Sequence, residues 1–559
     1  MTNVSTAQAA KLRHKISQRY HLLTVAVEDY FHATAVNRLV ADRHRMRMES
    51  RVDANVDATL ELLERYGHRA TFFVLGWVAE RLPEVVCRIA EAGHEVASKG
   101  YDHIPITEHT VETFRDEVQR SKQLIEHAAN RRVLGFRIPQ GHFSLDDLWA
   151  LDVLAEEGYR YDSSIYPRLH SLAGQPWRRF PHTHQNGARS IQEFPLSTGG
   201  VDGFLLPAAG GNYFRQLPPS LMHFSFSFWD RRYTAPFNMY FHTWELDPGL
   251  PQFAGADFLA RLRQYRNLDR MEERLEYYFG NYRFTSIADY NRWEQGYLDG
   301  VPLPSERVPS IQRPPPAEDA VPITIVVPCF NESPVLGYLE NTLDEMSEHF
   351  RDRYDVQFVL VNDCSTDDTW EGLQARFGHR SDIQLINHET NQGVAAAIMT
   401  GIRAARTEIV CSIDADCTYD PHQLENLIPM LGDDVAMVTA SPYHKDGTVV
   451  GVPEWRLFLS RNLSRIYGTL LHHRFATYTA CFRAYRKSKV EDIQLDLGGF
   501  LGVAELLIKL DVMGEKIAEC PATLEARVLG ASKLKTLHTI RGHLALIGKI
   551  PSMKRQLAP

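Results

Sequence analysis

The chain has 559 residues, of which 23% are charged and 44% hydrophobic, and its formal net charge is −9. This length is too great for one hydrophobic core, and the negative charge argues against a dedicated nucleic-acid binder. The seven cysteines show no spacing typical of a zinc site or a disulfide framework, so we expect reduced thiols in a cytoplasmic protein. No apolar run is long enough to span a bilayer, and Met1–Tyr20 lacks the apolar core of a signal peptide.

From residue 21 to residue 300, short apolar strands alternate with helical stretches, and polar residues follow the strand ends. The clearest examples are Leu22–Val27 before Glu28 and Asp29, Glu95–Ser98 before Lys99, and Met239–Phe241 before His242. Polar groups at the ends of many successive strands are typical of a (β/α) barrel with its site at the carboxyl-terminal rim. The sequence therefore predicts an α/β domain over residues 21–300, after an N-terminal extension over residues 1–20.

The motif Val27-Glu-Asp-Tyr-Phe-His32 and its surroundings, roughly residues 20–295, resemble the polysaccharide deacetylase family, whose fold is a distorted (β/α) barrel. The resemblance implies an amide-hydrolysing site, in which a metal-bound water attacks and side chains move the protons. It assigns Glu28 as general base, His242 as general acid, Asp29 and His103 as ligands of Zn²⁺ or another divalent ion, and Arg137 and Pro139 as residues that shape the groove.

Lys99 departs from the family pattern, which has His-x-x-x-His where this chain reads Lys99-Gly-Tyr-Asp-His103. An ammonium group has three donors and no lone pair, so Lys99 cannot ligate a metal. It would instead stand where the cation stood and pair with Asp29. Two alternatives stay open: a domain that binds an acylated sugar without cleaving it, and an active deacetylase with an altered metal site. His242 has its own alternative, a hydrogen bond within the rim.

A boundary follows at residues 301–321, which contain Pro302, Pro304, Pro309 and the triplet Pro314–Pro316. Such a proline-rich stretch is typical of a semi-extended linker. We therefore expect a second domain over residues 322–559.

In this second domain, the apolar strand Ile409–Ile413 is followed by Asp414 and Asp416. Because strand side chains alternate, the two carboxylates would point the same way and suit a divalent cation. Taken alone, the pair is also compatible with a solvated strand end. However, further strands alternate with helices around it, at Ile323–Pro328, Val356–Asn362 and Ile383–Asn387. This order predicts a parallel sheet with ligands at the carboxyl ends of the strands.

Residues 320–550 resemble glycosyltransferase family 2, within it the dolichol-phosphate mannosyltransferase-like branch, and the resemblance implies a Rossmann-like GT-A fold. The matching motifs are Pro328-x-x-Asn-Glu332, Asp363, Asp414-x-Asp416 and Arg527 with Gly530-Ala-Ser-Lys533. The family assigns donor binding to Pro328, Glu332, Asp363 and Asp414, Mg²⁺ or Mn²⁺ to Asp414 and Asp416, catalysis to Asp416 and Glu505, and phosphate binding to Arg527 and Lys533. The chain departs from the family at Asn362, where an aspartate is common, and after Gly393, where no Lys or Arg follows.

Two stretches without acidic residues, Trp455–Val490 and Ala526–Pro559, carry many Lys and Arg residues, the second as a basic C-terminal helix. One interpretation is a solvated helix face, and the other is a surface that contacts anionic lipid. Similarly, Glu505 is compatible with a helix-surface residue, and Arg527 with Lys533 is compatible with a solvated loop.

The sequence thus favours a glycosyltransferase that moves a sugar from a nucleotide-diphosphate donor to a polyprenyl phosphate or another glycan acceptor, peripherally at the inner face of the membrane. The deacetylase-like domain would act on, or bind, an N-acylated sugar. Two alternatives come from other classes. In one, the protein is mainly a carbohydrate amide hydrolase; in the other, the N-terminal domain is a non-catalytic sugar-binding module.

Overall fold

The computed structural model describes residues 19–167, 175–201, 204–207, 209–296, 317, 319–452, 454–529 and 536–557. The chain divides into two compact units. The first comprises Met1–Arg38, Ser50–Leu250 and Ala256–Pro309, and the second comprises Leu39–Glu49, Pro251–Gly255 and Ser310–Pro559. The predicted N-terminal extension and proline-rich linker fall largely outside the described residues.

The first unit contains a nine-stranded sheet and a separate two-stranded one. Its strands are β1 Tyr20–Val27, β2 Thr71–Val74, β3 Glu95–Ser98, β4 Gly135–Phe136, β5 Tyr161–Asp162, β6 His182–Asn186, β7 Arg189–Glu193, β8 Thr198–Val201, β9 Phe204–Pro207, β10 Asn238–His242 and β11 Arg283–Thr285. The large sheet has the order β10-β1-β2-β3-β4-β5-β7-β6, and β11 also pairs with β1. All its pairings are parallel except β6 with β7.

Helices connect these parallel strands, as the alternating sequence pattern predicted. They span Val52–Tyr66, Gly76–Arg81, Pro83–Glu91, Val111–Ala129, Trp149–Glu156, Asn212–Gln216, Pro219–Arg232, Phe258–Tyr265, Met271–Asn281 and Ile287–Tyr290. Residues 21–27 of β1 are buried without interruption, because helices cover the faces of a parallel sheet. The carboxyl ends of β10, β1, β2 and β3 therefore lie side by side at one edge.

The first unit has the predicted α/β class with parallel strands, but its described strands do not form a closed barrel. The hydrogen-bonded order ends at β10 on one side and at β6 on the other. Between them, Asn238 of β10 makes isolated hydrogen bonds: its Nδ2 donates to the Phe194 carbonyl at 2.9 Å, and its backbone N donates to Ser197 Oγ at 2.8 Å. The backbone bonds on this side of β10 are also isolated, such as Ser197 N to the Asn238 carbonyl at 3.4 Å, so no continuous ladder closes the sheet among the described residues.

The second unit contains a seven-stranded sheet with the order β14-β13-β12-β15-β18-β16-β19 and a small pair, β17-β20. These strands are β12 Val321–Cys329, β13 Tyr354–Asn362, β14 Ile383–Asn387, β15 Ile409–Ser412, β16 Val435–Ser441, β17 Thr448–Val450, β18 Arg483–Arg486, β19 Lys516–Pro521 and β20 Thr523–Glu525. The first four are parallel, and β18 runs antiparallel to both neighbours. The α/β class is as predicted, but the sheet is mixed.

The helices of the second unit pack against the sheet and against each other. They span Asp42–Arg47, Leu336–Phe350, Thr369–Phe377, Val394–Ala404, Leu424–Leu427, Glu454–Leu470, Lys487–Val490, Gly499–Val512 and Thr536–Leu557. Gly393, with φ of +89°, precedes one of them; a Cβ there would lie 2.3 Å from the Gly499 backbone N, so only glycine permits this approach. Within the described residues, no helix combines the length and the apolar character needed to cross a membrane.

Candidate functional site

Asp414 and Asp416 lie in a turn at the carboxyl end of β15. The strand ends at Ser412, one residue earlier than predicted, because Cys417 N donates to the Asp414 carbonyl at 3.0 Å and turns the chain. Cys417 has φ of 51°, in the left-handed region that non-glycine residues rarely adopt. The turn, not strand alternation, therefore brings the two carboxylates together.

Arg527 connects two acidic residues of this edge. Its guanidinium donates to the Glu332 carboxylate, and its Nε lies 3.4 Å from Oδ2 of Asp416. The same Nε donates to the Leu529 carbonyl at 2.6 Å. With its side chain 14% exposed and ion-paired, Arg527 is not a solvated loop residue, and that alternative is wrong for Arg527. Lys533, its predicted partner in phosphate binding, lies outside the described residues.

The electrostatics of this group favour a cation. Burial raises the pKa of Asp414 to about 7, and repulsion from Asp416 and Glu332 adds to the shift, while Arg527 opposes it. Asp414 is half-buried, so the interpretation of a solvated strand end is wrong. Three carboxylates that face one guanidinium leave an excess of negative charge, which a divalent cation would compensate.

The loops that carry this site each contain a non-glycine residue in the left-handed region. Asn331, Cys364 and Cys417 have φ of 54°, 56° and 51°. The loops are also joined, because Thr366 N donates to Asn331 Oδ1 at 2.7 Å and Asn331 N donates to Ser365 Oγ at 2.9 Å. Strained residues of this kind concentrate at functional sites. Their φ values were not predicted from the sequence.

Asp363 is buried and organises the turn before helix Val394–Ala404. Its carboxylate accepts hydrogen bonds from Gln392 N at 2.9 Å and Gly393 N at 2.7 Å, and His388 Nδ1 lies 2.8 Å from Oδ1. Beside it lies an open cavity of ≈ 450 Å³ lined mainly by polar residues. The cavity residues include Asn362, Cys364, Ser365, Thr366, Trp370 and Asn387. Asp363 thus shapes the wall of a cavity at the carboxyl end of β13.

Glu505 is completely buried on helix Gly499–Val512, so the surface interpretation is wrong. Its carboxylate accepts hydrogen bonds from Asp496 N at 3.0 Å and Leu497 N at 2.9 Å, and Lys509 Nζ lies 2.8 Å from Oε1. These contacts hold the loop that precedes the helix. Pro328, the remaining predicted donor residue, lies near the end of β12.

In the first unit, Glu28 is the centre of a buried cluster at the carboxyl ends of β1, β3 and β10. Lys99 Nζ donates to Oε2 at 2.5 Å, and His103 Nε2 lies 3.3 Å from the same oxygen. His242 Nδ1 lies 2.8 Å from Oε1. Burial alone would raise the pKa of Glu28, but Lys99 and the two histidines hold it well below its usual range. The structure thus unites the predicted base and acid with Lys99.

Asp29 has different partners. Its Oδ2 accepts a hydrogen bond from Ser50 Oγ at 2.6 Å, and its Oδ1 accepts one from Arg51 N at 2.9 Å. Burial raises the pKa of Asp29 to about 7, although these donors oppose the shift. The predicted pair of Lys99 with Asp29 is wrong, because Lys99 is bonded to Glu28. The sequence analysis did not identify Ser50 and Arg51 as partners of Asp29. The signal for them in the sequence is their position just before the helix that begins at Val52.

Arg137 and Pro139 are both buried in the first unit. The Arg137 guanidinium donates to Thr24 Oγ1 at 3.0 Å and to the Ser163 carbonyl at 3.0 Å, and burial lowers its pKa to about 10. The Pro139 carbonyl accepts a hydrogen bond from Lys99 Nζ at 2.9 Å. Pro139 therefore supports the cluster directly through Lys99, whereas Arg137 joins the strands beside it, and the role of both residues in a groove stays a prediction.

Across the described residues, no group of three or more His, Cys, Asp or Glu side chains is arranged to hold a metal ion. Asp414 and Asp416 nevertheless fit Mg²⁺ or Mn²⁺, because such an ion needs only one or two protein carboxylates when substrate phosphates complete its shell. The first unit does not fit a tightly held ion as it stands, because the Lys99 ammonium takes a ligand position and binds Glu28.

Three family models match segments of the chain. Polysaccharide deacetylase matches residues 48–161, a domain of unknown function (DUF3473) matches residues 163–292, and glycosyl transferase family 2 matches residues 324–494. The first two segments belong to the stretch predicted as one deacetylase-like domain, and the third carries the Asp414 and Asp416 motif.

Curated relatives resemble the second unit. A dolichol-phosphate mannosyltransferase from Pyrococcus furiosus is 28% identical over 223 residues, which are 38% of this chain and 59% of the relative. An undecaprenyl-phosphate mannosyltransferase from Micrococcus luteus is 25% identical, over 38% of this chain and 87% of the relative. A solved mannosyltransferase from Pyrobaculum calidifontis, in complex with GDP-Man and Mn²⁺, is 23% identical with a TM-score of 0.29, over 42% of this chain and 63% of that one. The chain therefore joins a polysaccharide deacetylase segment to a family 2 glycosyltransferase segment, as both resemblances predicted.

Proposed function

We propose that the second unit transfers a sugar from a nucleotide-diphosphate sugar to a polyprenyl phosphate. The observation that carries this proposal is the group of Glu332, Arg527 and Asp416 beside Asp414 at the carboxyl ends of β12 and β15. Its excess negative charge suits Mg²⁺ or Mn²⁺ held by the two aspartates. When bound, such an ion neutralises diphosphate charge and so favours departure of the nucleotide.

Arg527 is the residue we assign to phosphate recognition. A guanidinium matches phosphate oxygens in a bidentate manner, and here it is anchored by Glu332 and by the Leu529 carbonyl. These anchors reduce the side-chain entropy that phosphate binding would otherwise cost. Asp363 would act more indirectly, because its hydrogen bonds support the turn at Gln392 and Gly393 beside the cavity.

The names of the relatives support a lipid phosphate acceptor, since they are dolichol-phosphate and undecaprenyl-phosphate mannosyltransferases. A phosphate is already anionic at neutral pH, so it requires less help from a general base than a sugar hydroxyl does. Glu505 is buried and paired with Lys509. We therefore propose that Glu505 positions the loop at Asp496 and Leu497 and does not deprotonate the acceptor.

An exposed face of helix Glu454–Leu470 supports association with a lipid surface. Phe458 is 68% exposed and Ile466 is 44% exposed, and the exposed Arg461 and Arg465 lie between them. Apolar and cationic side chains on one helix face suit an interface with anionic head groups. Such a location would bring the site to its polyprenyl phosphate.

The test is sugar transfer by the full chain, with UDP- and GDP-sugars, a polyprenyl phosphate and Mn²⁺. Asp416→Asn should lower turnover at least ~100-fold, because the cation loses a direct ligand. Asp434→Asn is the control, since that carboxylate is exposed and pairs with Lys516 at the surface. Normal transfer by Asp416→Asn in saturating EDTA would contradict the proposal.

For the first unit, we propose binding of an N-acylated sugar at the Glu28 cluster, without a resident metal. The contact that favours this is the Lys99–Glu28 hydrogen bond, which puts a fixed positive charge at the position of a family metal ligand. Lys99, His103 and His242 would then donate to sugar oxygens. Release of acetate or formate from N-acylated sugars by the full chain would instead support the amide hydrolase.

A further inference from the structure

A short segment from the first half of the chain, Leu39–Glu49, belongs to the second unit. We call it the strap, and it contains the helix Asp42–Arg47. Residues 39–47 of the strap lie outside all three segments that match family models. The family-model matches therefore do not account for most of the strap, whereas its contacts point to a role.

Arg47 is the most buried charged contact of the strap, with its side chain 2% exposed. Its Nε donates to Glu345 Oε2 at 2.6 Å, and its Nη2 donates to Asp420 Oδ1 at 3.1 Å. The backbone of Arg47 is also used, since Asn341 Nδ2 donates to its carbonyl at 3.0 Å. One strap residue thus holds both helix Leu336–Phe350 and the loop that follows Asp416.

His44 and Arg43 contact Glu525, the last residue of β20. His44 Nε2 lies 3.0 Å from Glu525 Oε2, and its Nδ1 lies 2.9 Å from the Tyr338 hydroxyl. Arg43 pairs with the other oxygen of Glu525. The last residue of the strap, Glu49, packs against Gly337 of helix Leu336–Phe350. A Cβ at Gly337 would lie 2.5 Å from the Glu49 carboxyl carbon, so the glycine permits this close packing.

The segments that the strap contacts lie next to Asp416 and Arg527 of the proposed transferase site. Asp420 follows Asp416 in one loop, and Glu525 precedes Arg527 in the chain. That loop and β20 are joined directly, because Glu525 N donates to the Thr418 carbonyl at 2.9 Å. A shift of the strap would therefore be transmitted to Asp416 and Arg527, the two groups that meet at 3.4 Å.

We infer that the strap is a positioning element of the transferase site, with Arg47 and His44 setting the distance between Asp416 and Arg527 through Asp420 and Glu525. This inference rests on the proposed function of the second unit. The separation matters chemically, because an arginine that paired more closely with Asp416 would compete with the cation for that carboxylate. The strap keeps the two groups near each other but apart.

The test measures binding of Mn²⁺, with UDP and with GDP in separate titrations, to the full chain. Arg47→Met should weaken Mn²⁺ binding by about tenfold, because loss of an outer-shell partner typically costs 10–100-fold. The matched control is Arg380→Met. Arg380 is also nearly buried and pairs with Asp344, on the same helix, and with Asp382, but none of its described hydrogen bonds or ion pairs reaches the strap or the loop after Asp416. Its Mn²⁺ affinity should stay within about twofold of wild type.

His44→Phe is the second variant, since it keeps an aromatic ring at position 44. It tests the inference independently of whether Arg47→Met folds. It should weaken Mn²⁺ binding in the same direction and lower kcat for sugar transfer, with the thermal midpoint of the chain unchanged. Equal Mn²⁺ affinity in wild type and His44→Phe would overturn the strap inference and leave the proposed function intact. Absence of Mn²⁺ binding with either nucleotide in wild type would overturn the proposed function and the inference with it.

Discussion

Lys99 is the single residue that most changes the chemistry of the first unit. A buried ammonium without a partner would be too costly, and here the cost is offset by Glu28 and by the Pro139 carbonyl. Burial lowers the pKa of Lys99, while Glu28 opposes the shift. The family pattern shows that the residue is unusual, but only the structure shows that it pairs with the residue assigned as general base.

Replacing Lys99 with histidine should allow the full chain to take up one equivalent of Zn²⁺. The change removes the competing positive charge and adds a second imidazole beside His103 and Glu28. The measurement is metal analysis after dialysis, in an Asp416→Asn background so that the transferase site does not contribute.

Lys99→Met serves as the control, since it removes the charge without adding a ligand and should take up no stoichiometric Zn²⁺. A full equivalent of tightly bound Zn²⁺ in the chain that retains Lys99 would refute the metal-free interpretation. Glu28 and His242 would then be the acid–base pair of a working deacetylase.

Helix Glu454–Leu470 shows how one element can serve both the core and the surface. Tyr467 is buried, and its hydroxyl lies 2.8 Å from His543 Nδ1 on helix Thr536–Leu557. The opposite residues, Phe458 and Ile466, are exposed and have no described apolar cover. An excess of basic residues was visible in the sequence, but the division of the helix into two faces required the fold.

Phe458→Ser combined with Ile466→Ser should weaken binding to vesicles that contain anionic phospholipid by about tenfold, because the apolar contribution to interfacial binding is lost. Co-sedimentation at low salt measures this. Raising the salt to 1 M should also weaken vesicle binding by the wild-type chain, since the Debye length falls to about 3 Å.

Met430→Ser is the matched control, because Met430 is 39% exposed but lies outside both basic stretches. Its vesicle binding should equal that of wild type. If the wild-type chain ignored both anionic lipid and salt, the basic stretches would be solvated helix faces, and a water-soluble glycan acceptor would be favoured.

At the scale of the whole molecule, described titratable groups of two opposed kinds contribute to the way stability responds to acid. His94, His182 and His543 have pKa values lowered to about 4 by burial. By contrast, burial raises the pKa values of Asp29, Glu95 and Asp414 to about 7. As the pH falls below about 6.5, the unfolded chain takes up protons at these histidines before the folded chain does, so the histidines lower the free energy of unfolding. As the pH falls below about 7, the folded chain takes up protons at these carboxylates before the unfolded chain does, so the carboxylates raise the free energy of unfolding. Single variants are needed to separate these contributions.

His543→Asn should reduce the loss of stability between pH 7 and pH 5 by about 2 kcal/mol, because a histidine with a folded pKa near 4 contributes about 1.4 kcal/mol per pH unit below 6.5. Urea denaturation at both pH values measures the difference. His349→Asn is the control, since that side chain is 42% exposed. An equal pH response in wild type and His543→Asn would contradict the assignment.

Much of this protein was determined by its sequence alone. Apolar strands followed by polar residues predicted two α/β regions, and short motifs predicted the deacetylase and family 2 glycosyltransferase segments that the family models match. These features are local, since a strand, a turn and a motif such as Asp414-x-Asp416 involve residues that are neighbours in the chain. Local propensity and spacing are therefore sufficient to reveal them.

Only the tertiary structure decided which distant residues meet. Arg527 pairs with Glu332 across 195 residues, and His44 reaches Glu525 across 481. Similarly, Lys99 pairs with Glu28 and not with the adjacent Asp29, because Ser50 and Arg51 already occupy that carboxylate. Such contacts depend on the packing of whole elements, and no periodicity in the sequence records them. The strap belongs to the transferase unit for the same reason: its buried ion pairs form only when the fold brings Arg47 to Glu345 and Asp420.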